Sequence, residues 1–210
     1  MESALRDSLP RDARLIETFR WEPEAGFVNL DRHLARMARS AEVLGFDYED
    51  LWALYVIQAS GEGPLRCRLT LGDEGFAFSS APLGKTRDVW RVAISDVRLP
   101  SGDALLRHKT TRRDLYDQAR EERPDGIDEA LMLNERGEVC EGTITNVFVT
   151  LEDGQIVTPP LSCGLLPGIQ RGIALENGAT EAVVTVDTLK TSKAIHIGNS
   201  LRGMIPVELV

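Results

Sequence analysis

The 210-residue chain is expected to fold as an α+β protein in two domains. Three observations lead there. Short strand-like runs alternate with two helical patterns up to about residue 84. Beyond Leu99 the texture changes and strand-like runs dominate. Between the two, Gly84-Lys85-Thr86-Arg87-Asp88 interrupts apolar sequence on both sides. The expected division is a small α/β domain over residues 1–86 and a larger strand-rich domain over 87–210.

In chain order, Leu15–Trp21 and Phe27–Leu30 read as strands joined by the turn-rich Glu22-Pro23-Glu24-Ala25-Gly26. Asp31 has the side chain of an N-cap. Leu34, Met37, Ala38, Ala41 and Leu44 then recur at helical spacing, and Gly45 is a natural stop. A second helix is expected over Glu49–Ala59. Leu65–Leu71 and Phe76–Ser80 read as a hairpin turned at Gly72-Asp73-Glu74-Gly75, and Trp90–Ser95 as a further strand. Lys109–Arg120 has the composition of a helix. Glu129–Leu133, Thr145–Leu151 and Gln155–Thr158 read as strands, with turns at Gly137 and Asp153-Gly154. Gly168–Leu175 and Thr188–Ser192 read as helices, and Ala194–Ile197 and Met204–Val210 as closing strands.

Bulk properties exclude several classes. The 42% hydrophobic and 27% charged fractions are those of a soluble globular chain. No apolar run approaches the ~20 residues of a membrane span. Met1-Glu2-Ser3-Ala4-Leu5-Arg6 carries no basic-then-apolar signal pattern. Cys67, Cys140 and Cys163 match no zinc spacing, so no metal is expected, and reduced thiols in a cytoplasmic protein are the simplest reading. A net charge of −9 argues against nucleic acid as a partner.

Four segments carry the residue types of a reactive site. In Arg107-His108-Lys109-Thr110-Thr111-Arg112-Arg113, like charge around a lysine lowers its pKa and favours the nucleophilic amine. From these residues alone the plainer reading is a solvated basic loop. In Glu141-Gly142-Thr143-Ile144-Thr145-Asn146-Val147-Phe148, a carboxylate stands at the mouth of an apolar strand, where burial requires a cation or a strong donor. The plainer reading is a hairpin edge with an exposed glutamate. Leu165-Leu166-Pro167-Gly168-Ile169-Gln170 looks like a turn opening a helix, whose first N–H groups bind phosphate, or an ordinary Pro-Gly turn. Gly198-Asn199-Ser200-Leu201-Arg202-Gly203 suits an anion, or is a plain loop.

Taken in order, these segments resemble the class IV aminotransferases, the fold-type-IV enzymes of pyridoxal 5'-phosphate (PLP). The resemblance runs from about Arg14 to the C-terminus. Its most specific parts are Glu141–Phe148, on the pattern E-G-x-x-x-N-h-F, and Leu166-Pro167-Gly168-Ile169. It implies that Lys109 is the Schiff-base lysine and that Glu141 faces the pyridine nitrogen. Arg36, within His33-Leu34-Ala35-Arg36, would bind the phosphate together with Ser200, Gly168 and the backbone N–H groups of Ile169 and Gln170. The family usually has threonine where Gln170 stands, a change that a backbone contact survives. Asn146 would line the cofactor site.

Within the family, Glu17-Thr18-Phe19-Arg20-Trp21, His108–Arg113, Thr158–Gly168 and Asn199–Gly203 look most like aminodeoxychorismate lyases, especially those fused to aminodeoxychorismate synthase. That resemblance implies elimination of pyruvate from 4-amino-4-deoxychorismate to give 4-aminobenzoate, a step of folate biosynthesis. Arg202, Arg112 and His108 are then candidates to meet an amino-acid-like carboxylate substrate. A homodimer is implied, and an aminodeoxychorismate synthase as partner. The alternatives are a branched-chain or D-amino-acid aminotransferase and an inert PLP-binding scaffold. Family members usually have further strands and a glycine-rich turn ahead of the Arg14 segment. Residues 1–13 do not carry that pattern, so those N-terminal strands are expected to be absent.

Overall fold

The computed structural model describes residues 5–210; the first four residues of the stretch read for a signal pattern lie outside them. The chain forms two compact units. One takes the chain up to Lys85 together with His108–Arg112, and the other takes Thr86–Arg107 and Arg113–Val210.

The first unit contains β1 (Leu15–Glu22), β2 (Gly26–Phe27), α1 (Leu30–Leu44), α2 (Asp50–Val56), β3 (Leu65–Gly72) and β4 (Gly75–Pro82). Its strands make an antiparallel sheet in the order β2-β1-β3-β4. Phe19 of β1, Cys67, Leu69 and Leu71 of β3, and Met37, Ala41 and Leu44 of α1 are fully buried. The Phe19 ring meets Phe27 edge-on at 5.8 Å and stacks on Phe78 at 6.4 Å.

Two boundaries differ from those read in the sequence. The strand expected over Phe27–Leu30 is only β2, because Asn29 turns left-handed (φ 55°) and leads directly into α1. Asparagine tolerates that conformation better than most residues. Asp31 consequently lies in the first helical turn, where its charge meets the positive end of the helix dipole, and is not the N-cap. The helix expected over Glu49–Ala59 is the shorter α2, since Ile57 leaves the axis in an extended conformation to reach the core. Gly45 ends α1 as read, at φ 72° with its N–H on Ala41 O.

The second unit contains β5 (Trp90–Leu99), α3 (Asp114–Glu121), β6 (Glu129–Asn134), β7 (Val139–Gly142), β8 (Asn146–Thr150), β9 (Ile156–Thr158), α4 (Ile169–Glu176), β10 (Thr180–Glu181), α5 (Val186–Thr191), β11 (Ala194–Asn199) and β12 (Gly203–Leu209). Its sheet has eight strands in the order β10-β9-β8-β11-β12-β5-β6-β7. β5 runs parallel to both neighbours, β12 and β6. Every residue of β6 is buried. Strand alternation sends Leu131 and Leu133 into one apolar cluster with Val92, Val147 and Ile197, and Ala130 and Met132 into another with Leu99, Cys140 and Leu165. The three cysteines are buried and free. Burial pushes the Cys67 and Cys163 thiols up to about 11.

Lys109–Arg120 does not form one helix. α3 begins at Asp114, and the residues before it join the first unit. There Ile16 N–H donates to Lys109 O at 2.8 Å, Thr110 bridges Leu15, and Thr111 N–H donates to Arg14 O at 2.9 Å. Two adjacent β-branched threonines favour this extended path over a helix. A single cut at residue 86 therefore does not reproduce the two units. Among the described residues, no helix is long and apolar enough to cross a membrane.

Candidate active site

In the first unit Lys109 is half-buried, and its backbone is held by Ile16, the residue before Glu17. Thr111 Oγ1 accepts Arg14 N–H at 2.9 Å and Thr110 Oγ1 accepts Arg112 N–H at 3.2 Å. Both hydroxyls thus clamp the backbone on which Lys109 rides. His108 Nδ1 lies 3.0 Å from Ser40 Oγ of α1. Arg36, one helical turn before Ser40, is 6% exposed. Its Nε and Nη2 donate to the two oxygens of Glu17 at 2.8 and 2.6 Å, and His33 Nδ1 lies 2.5 Å from the same carboxylate. Burial raises the Glu17 pKa, but the Arg36 charge and the His33 and Arg36 hydrogen bonds outweigh it and bring it to about 2. Glu17 is therefore an anion at any working pH, and it fixes the guanidinium plane.

In the second unit Glu141 stands near the end of β7, buried to 4%. Oε1 accepts Tyr116 O–H at 2.7 Å and Leu166 N–H at 3.1 Å, and Oε2 accepts the Asn146 amide at 3.2 Å. The same amide nitrogen donates to Leu166 O at 3.0 Å. The carboxylate, the first residue of β8 and the turn ahead of α4 are thus tied into one unit. Burial, and then the Glu141 charge, push the Tyr116 phenol well above its ordinary pKa, so its O–H stays a donor. Gly168 caps α4 with no side-chain hydrogen bond to the first turn. The N–H groups of Ile169 and Gln170 belong to that turn and have no i−4 partner within the helix.

Glu129 builds the loop between Glu141 and Asn146. It is 1% exposed, and its carboxylate accepts Thr143 N–H (3.1 Å), Thr143 O–H (2.6 Å), Ile144 N–H (3.2 Å) and Thr145 O–H (3.1 Å). Arg113 donates to Thr143 O at 2.6 Å and lies over the Tyr116 ring. Asn199 Nδ2 reaches Ile144 O at 3.1 Å, while its Oδ1 accepts the N–H groups of Leu201 and Arg202. This Asx turn presents Ser200 beside the same loop.

Of the residues singled out from the sequence, the second unit joins Glu141, Asn146 and the Leu166–Gly168 turn directly, and Ser200 and Arg202 through Asn199. The first unit holds Lys109, His108, Arg112 and Arg36 on β1 and α1 or on the segment paired with β1. Glu17, His33, Tyr116, Arg113 and Glu129 were not singled out. Glu17 left one trace in the sequence, an acidic residue inside a strand-like run that opens Leu15-Ile16.

The amino-transferase class IV profile matches residues 14–210. The chain belongs to that family. It is therefore a PLP-dependent enzyme of class IV. A solved structure from Mesorhizobium loti, provisionally named an amino-acid aminotransferase, is 45% identical with a TM-score of 0.91, over 95% of this chain and 100% of that one. A Thermotoga maritima protein, provisionally named a branched-chain-amino-acid aminotransferase, is 29% identical over 92% of this chain and 76% of its own length. The aminodeoxychorismate lyase of Bacillus subtilis is 27% identical over 91% of this chain and 75% of its own.

The residues present suit the class IV cofactor. A protonated pyridine nitrogen calls for a buried carboxylate, and Glu141 is one, met in the contacts above by neutral donors. A phosphate calls for backbone N–H groups without a competing cap, and α4 opens that way. Close backbone approach calls for glycine, and a Cβ on Gly168 would stand 1.8 Å from Asn146 Oδ1.

Proposed function

We propose that this class IV enzyme is an aminodeoxychorismate lyase, removing pyruvate from 4-amino-4-deoxychorismate to leave 4-aminobenzoate in folate biosynthesis. The observation that carries the PLP chemistry is the buried Glu141 carboxylate locked to the Leu166–Gly168 turn. The lyase reading is supported by the Bacillus subtilis relative and by the cationic loop Asn199–Arg202. A dicarboxylate substrate would meet Arg202, with Arg112 and His108 as further candidates.

When bound, PLP draws electron density from the α-carbon of the amine attached to it. Lys109 would hold the cofactor through Nζ, and its free amine would serve as the base that takes the α-proton of the substrate. Glu141 would keep the ring nitrogen protonated, and Tyr116 and Asn146 hold that carboxylate in place. Ser200, Gly168 and the N–H groups of Ile169 and Gln170 would anchor the phosphate, with Arg36, oriented by Glu17, as the cationic contribution. A homodimer and an aminodeoxychorismate synthase that supplies the substrate complete the proposal.

A second reading, an amino-acid aminotransferase, is favoured by the Mesorhizobium loti and Thermotoga maritima relatives. Product analysis separates the two. Formation of 4-aminobenzoate from aminodeoxychorismate supports the lyase; its absence, with turnover of an amino acid and 2-oxoglutarate, supports the aminotransferase. Lys109→Ala should abolish the visible absorbance of lysine-bound PLP. Retention of that absorbance would overturn the assignment of Lys109.

A further inference from the structure

Among the described residues, no strand pairs with the outer edge of β4. In the β3–β4 hairpin, Leu71 pairs with Phe76 and Leu65 with Pro82, and Leu83 N–H bonds Pro64 O. That phase turns the N–H and C=O groups of Ala77, Ser79 and Ala81 toward β3, and those of Phe76, Phe78 and Ser80 away from it. β4 is the last strand of its sheet. Among the described residues, no hydrogen bond reaches the outward groups of Phe76, Phe78 and Ser80. Folded proteins usually blunt such an edge with charge, a bulge or an early proline. Phe76-Ala77-Phe78-Ser79-Ser80-Ala81-Pro82 carries no charge, and its proline comes only at the end.

Beside this edge lies a surface on which aromatic, aliphatic and acidic side chains meet. A cavity of about 370 Å³ is lined by Trp52 and Val56 of α2, by Phe76, and by Asp47, Glu49 and Glu74. Leu51 is 80% exposed and Tyr55 69%. Contiguous exposed apolar side chains of this kind mark a surface available for association.

We infer that the β4 edge pairs antiparallel with the β4 edge of a second copy of this chain, about a two-fold axis at Phe78. This surface lies within the first unit and is independent of the reaction proposed above. In that register Phe78 faces its own copy and Phe76 faces Ser80, so every outward N–H and C=O of the three residues gains a partner. Two features select a second copy over a different partner. In a self-contact about a two-fold axis, residues at the axis meet their own kind, so a charge there would repel itself; this chain of net charge −9 keeps its edge free of charge. The ends of the strand are oppositely charged: Asp73 and Glu74 precede it and Lys85 follows it. Antiparallel self-pairing brings the acidic end of one copy to the basic end of the other.

The test uses the full chain. Ser80→Pro removes one outward N–H and keeps the pairing with β3. Lys85→Glu reverses the charge at the exposed end without touching the sheet. Sedimentation of wild-type protein should show an assembly whose mass falls by half in Ser80→Pro. Lys85→Glu should raise the dissociation constant by about tenfold, an effect that added salt reduces. In wild-type protein, the amides of Phe76, Phe78 and Ser80 should exchange slowly at high concentration and quickly on dilution. Unchanged mass in Ser80→Pro with fast exchange of these amides at every concentration would overturn the inference, while leaving a dimer through another surface intact. A wild-type monomer would overturn it as well.

Discussion

The Cα of Gly168 lies so close to the side-chain amide of Asn146 that a methyl group there would stand 1.8 Å from Oδ1. The backbone of Gly168 is β-like, at φ −68°, so its glycine is required by this approach and not by a left-handed turn. Gly168→Ala must displace Asn146, and Asn146 bonds both Glu141 and Leu166 O. The expected result is a drop in PLP affinity of at least tenfold, ~1.4 kcal/mol, with the sheet intact by circular dichroism. Titration of the apoprotein with PLP measures it. Wild-type affinity in the alanine variant would count against the coupling of the turn to Glu141.

Glu129→Gln should destabilise the second unit. The carboxylate accepts from two loop N–H groups and two hydroxyls with both of its oxygens. An amide supplies one oxygen and turns an N–H₂ toward donors. Leaving one buried donor unsatisfied costs about 1–3 kcal/mol. Urea unfolding reads the loss, and PLP titration reads the slackening of the loop between Glu141 and Asn146. Unchanged values in both measurements would leave Glu129 without the role described.

The Glu17 carboxylate predicts an acid transition in the first unit. Its folded pKa is depressed to about 2 from an ordinary 4.5. The stabilisation is therefore fully present above the unfolded value and is lost as pH falls through the window from about 4.5 to 2. Glu17→Gln should flatten acid unfolding in that window. It should also lower stability at neutral pH by on the order of 3 kcal/mol, since a buried guanidinium loses its anion. Acid titrations followed by tryptophan fluorescence compare the two proteins. Identical acid midpoints would show that the pair contributes nothing to the transition.

Much of this architecture was legible where spacing alone decides it. Leu34, Met37, Ala41 and Leu44 mark the buried face of α1, and Gly45 its end. The hairpin of β3 and β4 followed from alternation on either side of Asp73 and Glu74. What spacing could not give were choices made by distant partners. Thr110 and Thr111 are extended because Leu15 and Arg14 lie beside them, far away in sequence. At the site, Glu141, Asn146 and Leu166–Gly168 were conspicuous as separate motifs, but their hydrogen bonds to one another were not. Glu129 and Glu17 were hidden for a further reason. A buried carboxylate is identified by its donors, and for Glu129 these are mainly backbone N–H groups and threonine hydroxyls that carry no sequence signature of their own.

The strand-like segment that carries Lys109 leaves the second unit at Arg107 and returns to it at Arg113. The first unit is thus assembled from two separate stretches of gene. A single crossover between Ile16 and Lys109 would hand on the sheet without the Lys109 segment, or that segment without the strand whose Ile16 holds it. Exchange of one whole unit between relatives would consequently require three crossovers, one after Lys85 and two flanking the five-residue stretch His108–Arg112.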